Sequence, residues 1–488
     1  MAVATNEQQV LESIPTKLYI GGEWVDGSEG DTIAVEDPAT EETLVEVASG
    51  NTDDAFRALE AATAAQKDWA ATPPKERGEI LRRAYEAIMA RADDLALLMT
   101  LEMGKPLEES KAEIVYAADF FWYYAGEAAR IEGHYGVSYN GRGRVMVMQQ
   151  PVGPSILITP WNFPMAMGTR KIGPAIAAGC TMVWKPAKQT PLCALALTQI
   201  LEEAGLPGGV LNLLLAKSSG STMEPIIKDG RARKLSFTGS TEVGRTLIAQ
   251  AADQVLKVSM ELGGNAPFLI FEDADLDAAV EGALLAKMRN IGEACTSANR
   301  FHVAGAVAEQ FAEKLAQKMG ALKLGRGTEP DVKVGPLIDE SQQQKVRELV
   351  EDAVQKGAQT VVGGHIPDGR GYFYEPTVLA NIPDNARVLK EEIFGPVAPV
   401  KDFSSEEEAI AAANDTEYGL VAYVFTRDLK RALRVCEGLE TGMVGLNQGM
   451  VSNVGAPFGG VKQSGLGREG GKWGIEEFLE TKYVAINL

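Results

Sequence analysis

After Pro154 the chain falls into a rhythm that restricts its fold more than any other feature. Short apolar runs at Ser155–Thr159, Thr181–Lys185, Val210–Leu215, Lys234–Thr238 and Val258–Glu261 alternate with helix-like stretches at Met165–Ala178, Pro191–Ala204, Ser221–Lys228 and Glu242–Ala252. Strands that are apolar throughout need cover on both faces, and helices in the connections supply it. The pattern therefore predicts a parallel, doubly wound α/β sheet. Such sheets bind ligands outside the carboxyl ends of their strands, so the residues just past each strand are the first site candidates.

Those residues are unusual. Ser155–Thr159 runs into PWNFP (Pro160–Pro164), where two prolines fix the backbone around Asn162. An amide held there can donate to a developing oxyanion, an effect of roughly 3–4 kcal/mol for one good donor, although a plain turn asparagine reads the same way. KPAKQTP (Lys185–Pro191) puts Lys185 and Lys188 at a strand terminus where a nucleotide would lie. TGSTEVG (Thr238–Gly244) is a glycine-rich turn opening a helix whose free N–H groups suit a phosphate, though it is not GxGxxG. ELGGNAP (Glu261–Pro267) sets a carboxylate before paired glycines.

The 488 residues suggest two or three domains. Leu18–Glu29 reads as a hairpin around GG and DG. Three long helices are expected: Asp53–Ala70 behind a cap at Thr52, Glu76–Glu102 after Pro-Pro, and Leu107–Glu132 with the aromatic run Phe120–Tyr124. Arg144–Gln150 alternates as a strand of a separate small element. A second alternating region begins near Asp275, with helices at Leu276–Arg289, Ala306–Met319, Ser341–Gln355, Ser405–Asn414 and Leu429–Leu439, and strands at Arg300–Val303, Ala358–Val362, Leu420–Phe425 and Gly442–Leu446. The tail Lys482–Leu488 alternates without a nearby hairpin partner, which points to pairing with a distant edge or another subunit.

A net charge of −20 argues against a nucleic-acid surface or adsorption to anionic membranes, and an anionic substrate would need local arginines. Four scattered cysteines predict no disulfide framework and a reducing compartment. Three histidines lack ligand spacing, so no metal site is expected. No secretory signal opens the sequence, and the longest apolar run, Gly173–Trp184, is shorter than the roughly 20 residues of a membrane span. A cytoplasmic location is the expectation.

Within MRNIGEACTSANR (Met288–Arg300), Cys295 sits among Gly, Glu, Thr, Ser and Asn rather than in an apolar run. Buried cysteines are usually inert. As a nucleophile, Cys295 would need an oxyanion donor, a base and an electrophile.

PWNFP, KPAKQTP, FTGSTEVG, ELGGNAP, GEAC, EEIFGPV (Glu391–Val397) and PFGGVKQSGLGRE (Pro457–Glu469) occur in an order and spacing that resembles the aldehyde dehydrogenase superfamily over nearly the whole chain. The resemblance implies a Rossmann-type cofactor domain (1–130 and 149–262), a catalytic α/β domain (263–465) and a small β oligomerisation arm (131–148 and 466–488). It casts Cys295 as nucleophile, Glu261 as general base, and Asn162 with the Cys295 N–H as oxyanion donors. Thr159, Pro160, Trp161, Asn162, Lys185, Ala187, Lys188, Gly239, Ser240, Leu262, Glu392 and Phe394 match cofactor-binding positions. Arg170, Arg289 and Ser452 match the carboxylate-binding trio of succinate-semialdehyde dehydrogenases, and guanidinium grips a carboxylate through two parallel hydrogen bonds. The implied reaction is oxidation of succinate semialdehyde through a cysteine thiohemiacetal and thioester. Another short acidic semialdehyde, such as glutarate semialdehyde, is the alternative, since one methylene discriminates only about 10–200-fold. A catalytically silent relative would be expected to lose Cys295, Glu261 or Asn162, and all three are present. The resemblance also implies a homodimer or homotetramer.

Three departures from the family pattern stand out. Lys188 occupies a position that is typically Glu in NAD-preferring members, so it should attract a 2′-phosphate, and NADP is the expected cofactor with NAD possible. Ser297 replaces a second cysteine found in many relatives, which removes an internal disulfide route and leaves Cys295 open to overoxidation. Glu293 replaces a common Gln, and its charge would raise the Cys295 pKa if it faced the thiol.

Overall fold

The computed structural model describes residues 2–487. Met1, counted in the expected cofactor domain, and Leu488, the end of the expected tail strand, lie outside the described residues.

The alternating region forms the predicted sheet. Glu23–Val25, Leu18–Ile20, Leu211–Leu213, Met182–Lys185, Ser155–Ile158, Lys234–Thr238, Lys257–Glu261 and Gly465–Leu466 lie side by side in that order. The five strands from Leu211–Leu213 to Lys257–Glu261 are parallel, and the hairpin and Gly465–Leu466 close the two edges antiparallel. The chain starts the parallel part of this sheet at Ser155–Ile158, builds outward one way, then returns to build the other way from Lys234–Thr238. The point where strand order reverses thus lies between those two strands, where such sheets bind ligands. Strands and covering helices form one apolar core that contains the fully buried Trp184.

A second sheet has the order Gln359–Val362, Thr377–Ala380, Val397–Phe403, Ala298–Ala304, Ala266–Ile270, Val421–Phe425 and Met443–Leu446, all parallel except the first pair. It packs around its own core. Ala266–Ile270, Thr377–Ala380 and Val397–Phe403 were not anticipated; each is short and opens beside a proline or glycine, so periodicity alone does not mark it.

Several expected elements are corrected. The first long helix is Thr52–Ala71, and its cap is Asn51: Asn51 Oδ1 accepts from Asp53 N and Asp54 N while the Asp54 carboxylate accepts from Asn51 N. The expected Glu76–Glu102 helix is two, Pro74–Ala90 and Ala92–Met103, broken at Arg91. Leu95–Met103 is buried on every side, a course that the one-sided apolar face of the preceding helix could not continue. The aromatic helix stops at Glu127, and a 3-10 turn follows over Ala128–Arg130. The tail finds its partner inside the same chain: Leu479–Ile486 pairs antiparallel with Arg144–Pro151, whose other edge takes His134–Val137. No helix among the described residues is long and apolar enough to cross a membrane, and no group of metal-ligating side chains occurs among them.

Candidate active site

The two sheets meet at a cavity of about 220 Å3. Pro160, Trp161 and Asn162 enter it just past Ser155–Ile158; Thr238, Gly239 and Ser240 at the end of Lys234–Thr238; and Leu262 after Lys257–Glu261. From the second sheet come Cys295, ahead of Ala298–Ala304, and Glu392 and Phe394, ahead of Val397–Phe403. Met167, Gly263, Gln342 and Lys345 also line it, unanticipated. Gln342 Nε2 donates to Phe394 O at 2.6 Å, holding that loop. Its only sequence signal is a place in the first turn of a helix capped by Asp339, which is common to many helices.

Cys295 is delivered by a helix that Asp275 caps and that ends at Met288. Asn290, Ile291 and Gly292 then follow one another with φ of 54°, 61° and 80°, turning the chain into the site. Gly264 lets the loop close in: a Cβ there would lie 2.4 Å from Cys295 O. The cysteine is half-buried. Burial pushes its thiol up to about 12, with Glu261 and Glu392 adding to the rise and Arg170 and Arg289 opposing it. Cys295 in this setting therefore rests as a thiol, and any attack by it needs loss of the proton.

Asn162 is buried with its amide pinned: Nδ2 donates to Glu293 O at 2.9 Å and Oδ1 accepts from Phe163 N at 3.1 Å. One N–H of the amide remains for a ligand. Glu261 closes its strand, buried, and neither carboxylate oxygen has a hydrogen-bond partner. Burial raises its pKa well above the ordinary value, and the neighbouring Glu469 raises it further. The same burial makes its carboxylate, once ionised, a stronger base than an exposed one.

The expected substrate residues occupy different settings. Arg289 is half-buried; its Nη1 donates to Ser452 Oγ at 2.9 Å and its guanidinium lies 4.9 Å from the Phe163 ring centre. Arg170 is fully buried, paired with Glu469 at 2.6 Å and stacked 4.2 Å from the Phe458 ring centre. Glu469 also pairs with Lys171; burial acts to raise its pKa, but the two cations outweigh that and lower it. Glu293 does not turn its acid toward the thiol. Its carboxyl accepts from Ile338 N at 3.1 Å, and burial raises its pKa well above the ordinary value.

Four expected cofactor residues, Thr159, Lys185, Ala187 and Lys188, lie outside the cavity at neighbouring strand ends. Thr159 Oγ1 accepts from Trp184 Nε1 at 2.9 Å. Lys185 is buried and Lys188 exposed, and burial plus the Lys188 ammonium bring Lys185 down to about 8. The residues fit a nicotinamide dinucleotide. Thr238 Oγ1, on the cavity wall, is a buried polar atom without a partner, and the turn after it opens the helix Thr241–Ala252, whose first N–H groups suit a pyrophosphate. Glu392 can accept ribose hydroxyls from the other wall; Gly264 N donates to it at 2.9 Å, and Phe394, at φ 56°, meets Trp161 edge-on at 5.5 Å.

The profile of the Aldehyde dehydrogenase family matches residues 24–484. A succinate-semialdehyde dehydrogenase of Paenarthrobacter nicotinovorans is 57% identical, over 91% of this chain and 98% of that protein. A glutarate-semialdehyde dehydrogenase of Pseudomonas putida is 52% identical over 97% and 98%. A crystal structure described as an E. coli NADP-dependent enzyme superposes with a TM-score of 0.96 at 51% identity, covering 97% of this chain and 98% of that one. A cysteine and an amide at one cavity, with an unpaired carboxylate at the end of an adjoining strand, thus stand in a fold and sequence shared end to end: this chain belongs to the aldehyde dehydrogenase family.

Proposed function

We propose that this chain oxidises succinate semialdehyde to succinate, with NADP preferred over NAD. The observation that carries the reading is the Arg289–Ser452 pair, one residue's contact away from Asn162 through Phe163. It sets a cation and a hydroxyl across Phe163 from the cavity, near enough for Arg289 to act on the Cys295 thiol, in a protein whose net charge is −20. Arg170 adds a second cation, its charge partly offset by Glu469.

Cys295 gives its thiol proton to solvent water as Sγ adds to the aldehyde carbon, and the carbonyl π pair moves to oxygen. The free N–H of Asn162 Nδ2 and the Cys295 backbone N–H hold that oxyanion. A bound nicotinamide would supply the hydride acceptor; collapse of the oxyanion with loss of hydride from the former aldehyde carbon leaves a thioester on Cys295. Glu261 takes a proton from the water that adds to the thioester, and Cys295 sulfur departs. Thr159, Pro160, Trp161, Asn162, Lys185, Ala187, Gly239, Ser240, Leu262, Glu392 and Phe394 would hold the cofactor, and Lys188 would meet the 2′-phosphate.

The test is a steady-state comparison of Arg289→Met with the unaltered protein, on succinate semialdehyde and on neutral butanal. The semialdehyde KM should rise about 10–100-fold, the worth of a charge-assisted grip, while the butanal KM stays put. Equal effects on both would sink the reading. Glutarate semialdehyde is the second reading, favoured by the 52% identity of the Pseudomonas putida relative; comparing kcat/KM for the two chain lengths decides between them. We propose further that the enzyme is cytoplasmic, that it divides into cofactor, catalytic and arm regions as the resemblance implies, and that it is a homo-oligomer through the exposed sheet of His134–Val137, Arg144–Pro151 and Leu479–Ile486.

A further inference from the structure

If the Asn162 amide and the Cys295 N–H are to hold one oxygen atom, two segments remote in sequence must meet with little tolerance. One follows a strand of the first sheet and the other precedes a strand of the second. Asn290 stands between them. Its Nδ2 donates to Asn162 O at 3.0 Å and to Glu293 O at 2.9 Å. Two carbonyl oxygens can face only the NH2 end of an amide, so the orientation of this side chain is fixed chemically. Its Oδ1 is left buried with no partner.

The backbone tells the same story. Asn290 is left-handed (φ 54°, ψ 39°), a conformation that asparagine tolerates better than most residues. Its N–H donates to the Glu109 carboxylate at 2.5 Å. Strained backbone with a forfeited acceptor persists where the surroundings over-determine it, commonly at functional sites. The other grip on Asn162 O is Lys105 Nζ at 2.8 Å, and Lys105 is paired in turn with Glu113. Glu113 also accepts from Met165 N and Ala166 N, so the segment after Asn162 is anchored too.

We propose that Asn290 is a positioning residue: it ties the Asn162 segment to the Cys295 loop and so sets the spacing of the two oxyanion donors. The proposal rests on the assignment of Asn162 and the Cys295 N–H to that role. Asn290→Gly keeps the left-handed backbone and removes the amide. Asn290→Asp keeps the shape and replaces the two donors by acceptors facing carbonyl oxygens.

The experiment uses the full chain with butanal, which leaves the substrate carboxylate out of account. Single-turnover NADPH formation reports the step in which an oxyanion forms. Alkylation of Cys295 by iodoacetamide reports the same thiol in a reaction that forms none. In Asn290→Gly, NADPH formation should slow about 10–100-fold, with alkylation rate and NADP KM within about twofold of the unaltered protein. Asn290→Asp should be slowed at least as much. In the Asn162→Ala background, Asn290→Gly should add little, since the two act as one unit. NADPH formation within twofold of the unaltered protein in Asn290→Gly, or in Asn290→Asp should the glycine variant not fold, overturns the proposal. So does alkylation slowed by the same factor as NADPH formation, because that marks a displaced thiol. If Asn162→Ala leaves NADPH formation unchanged, the oxyanion assignment falls and the proposal with it; Asn162→Ala slow with Asn290→Gly normal removes the positioning role alone.

Discussion

The two sheets contribute to the site from opposite ends. The first presents the carboxyl ends of its strands: Asn162, Gly239, Ser240 and Leu262 all come just after one. The second presents its amino ends: Cys295, Glu392 and Phe394 all come just before one. Carboxyl ends of parallel strands lead into helix N-termini, which are ready-made for a phosphate-bearing ligand. Amino ends offer no such array, and the second sheet supplies individual side chains on bent loops instead: Phe394 at φ 56°, Asn290 and Ile291 at φ 54° and 61°. One sheet contributes through a general property of its architecture, the other through backbone shapes particular to two short loops.

The sharpest way to break this division is at Glu261, the last residue of a strand in the first sheet. If it serves only to hydrolyse the thioester, Glu261→Gln should lower kcat by about 10²–10⁴-fold while sparing the first turnover. Rapid mixing with substrate should then show a burst of NADPH near one per Cys295, followed by a slow phase. Loss of the burst would place Glu261 in the attack step, together with the thiol that burial holds up to about 12.

The same division explains what could be read from sequence. The first sheet was legible because its strands and helices alternate at regular spacing, and its site residues stand where such sheets bind ligands. Family resemblance located Cys295, Glu392 and Phe394; alternation marked the strand after Cys295 at Arg300–Val303, but nothing local marked Val397–Phe403, which Glu392 and Phe394 precede. Asn290 and Lys105 were not legible at all. An asparagine in a polar loop and a lysine after a glycine are ordinary residues until folding brings both to Asn162 O. Glu293 shows the opposite limit: its side chain promised an electrostatic role, yet the acid faces Ile338 and the backbone carbonyl makes the contact with Asn162. The cap at Asn51 was missed by one residue, because Asn51 and Thr52 are both good capping types and only geometry separates them.

A smaller effect tests how far the first sheet's strand ends choose the cofactor. Lys188 is exposed, beside buried Lys185, with no carboxylate paired to either among the described residues. Lys188→Glu removes an attraction to the 2′-phosphate and adds a repulsion, so the ratio of kcat/KM for NADP over NAD should fall by about 30–1,000-fold. The butanal KM, governed by the other wall, should not change. A preference for NAD in the unaltered protein would remove the basis for this reading of Lys188.

The smallest effect comes from Lys185, whose pKa burial and Lys188 bring down to about 8. Its protonated form attracts phosphate, and a 2′-phosphate is already a dianion above neutrality. The charge is therefore present below pH 8 and is lost as pH rises through that value. The NADP-over-NAD ratio of kcat/KM should fall about tenfold between pH 7 and 9.5. Lys188→Glu takes away the neighbouring ammonium that depresses Lys185, so the midpoint of this fall should move to higher pH. An unchanged midpoint would mean that burial alone sets the Lys185 pKa, and that the two lysines act on the cofactor independently.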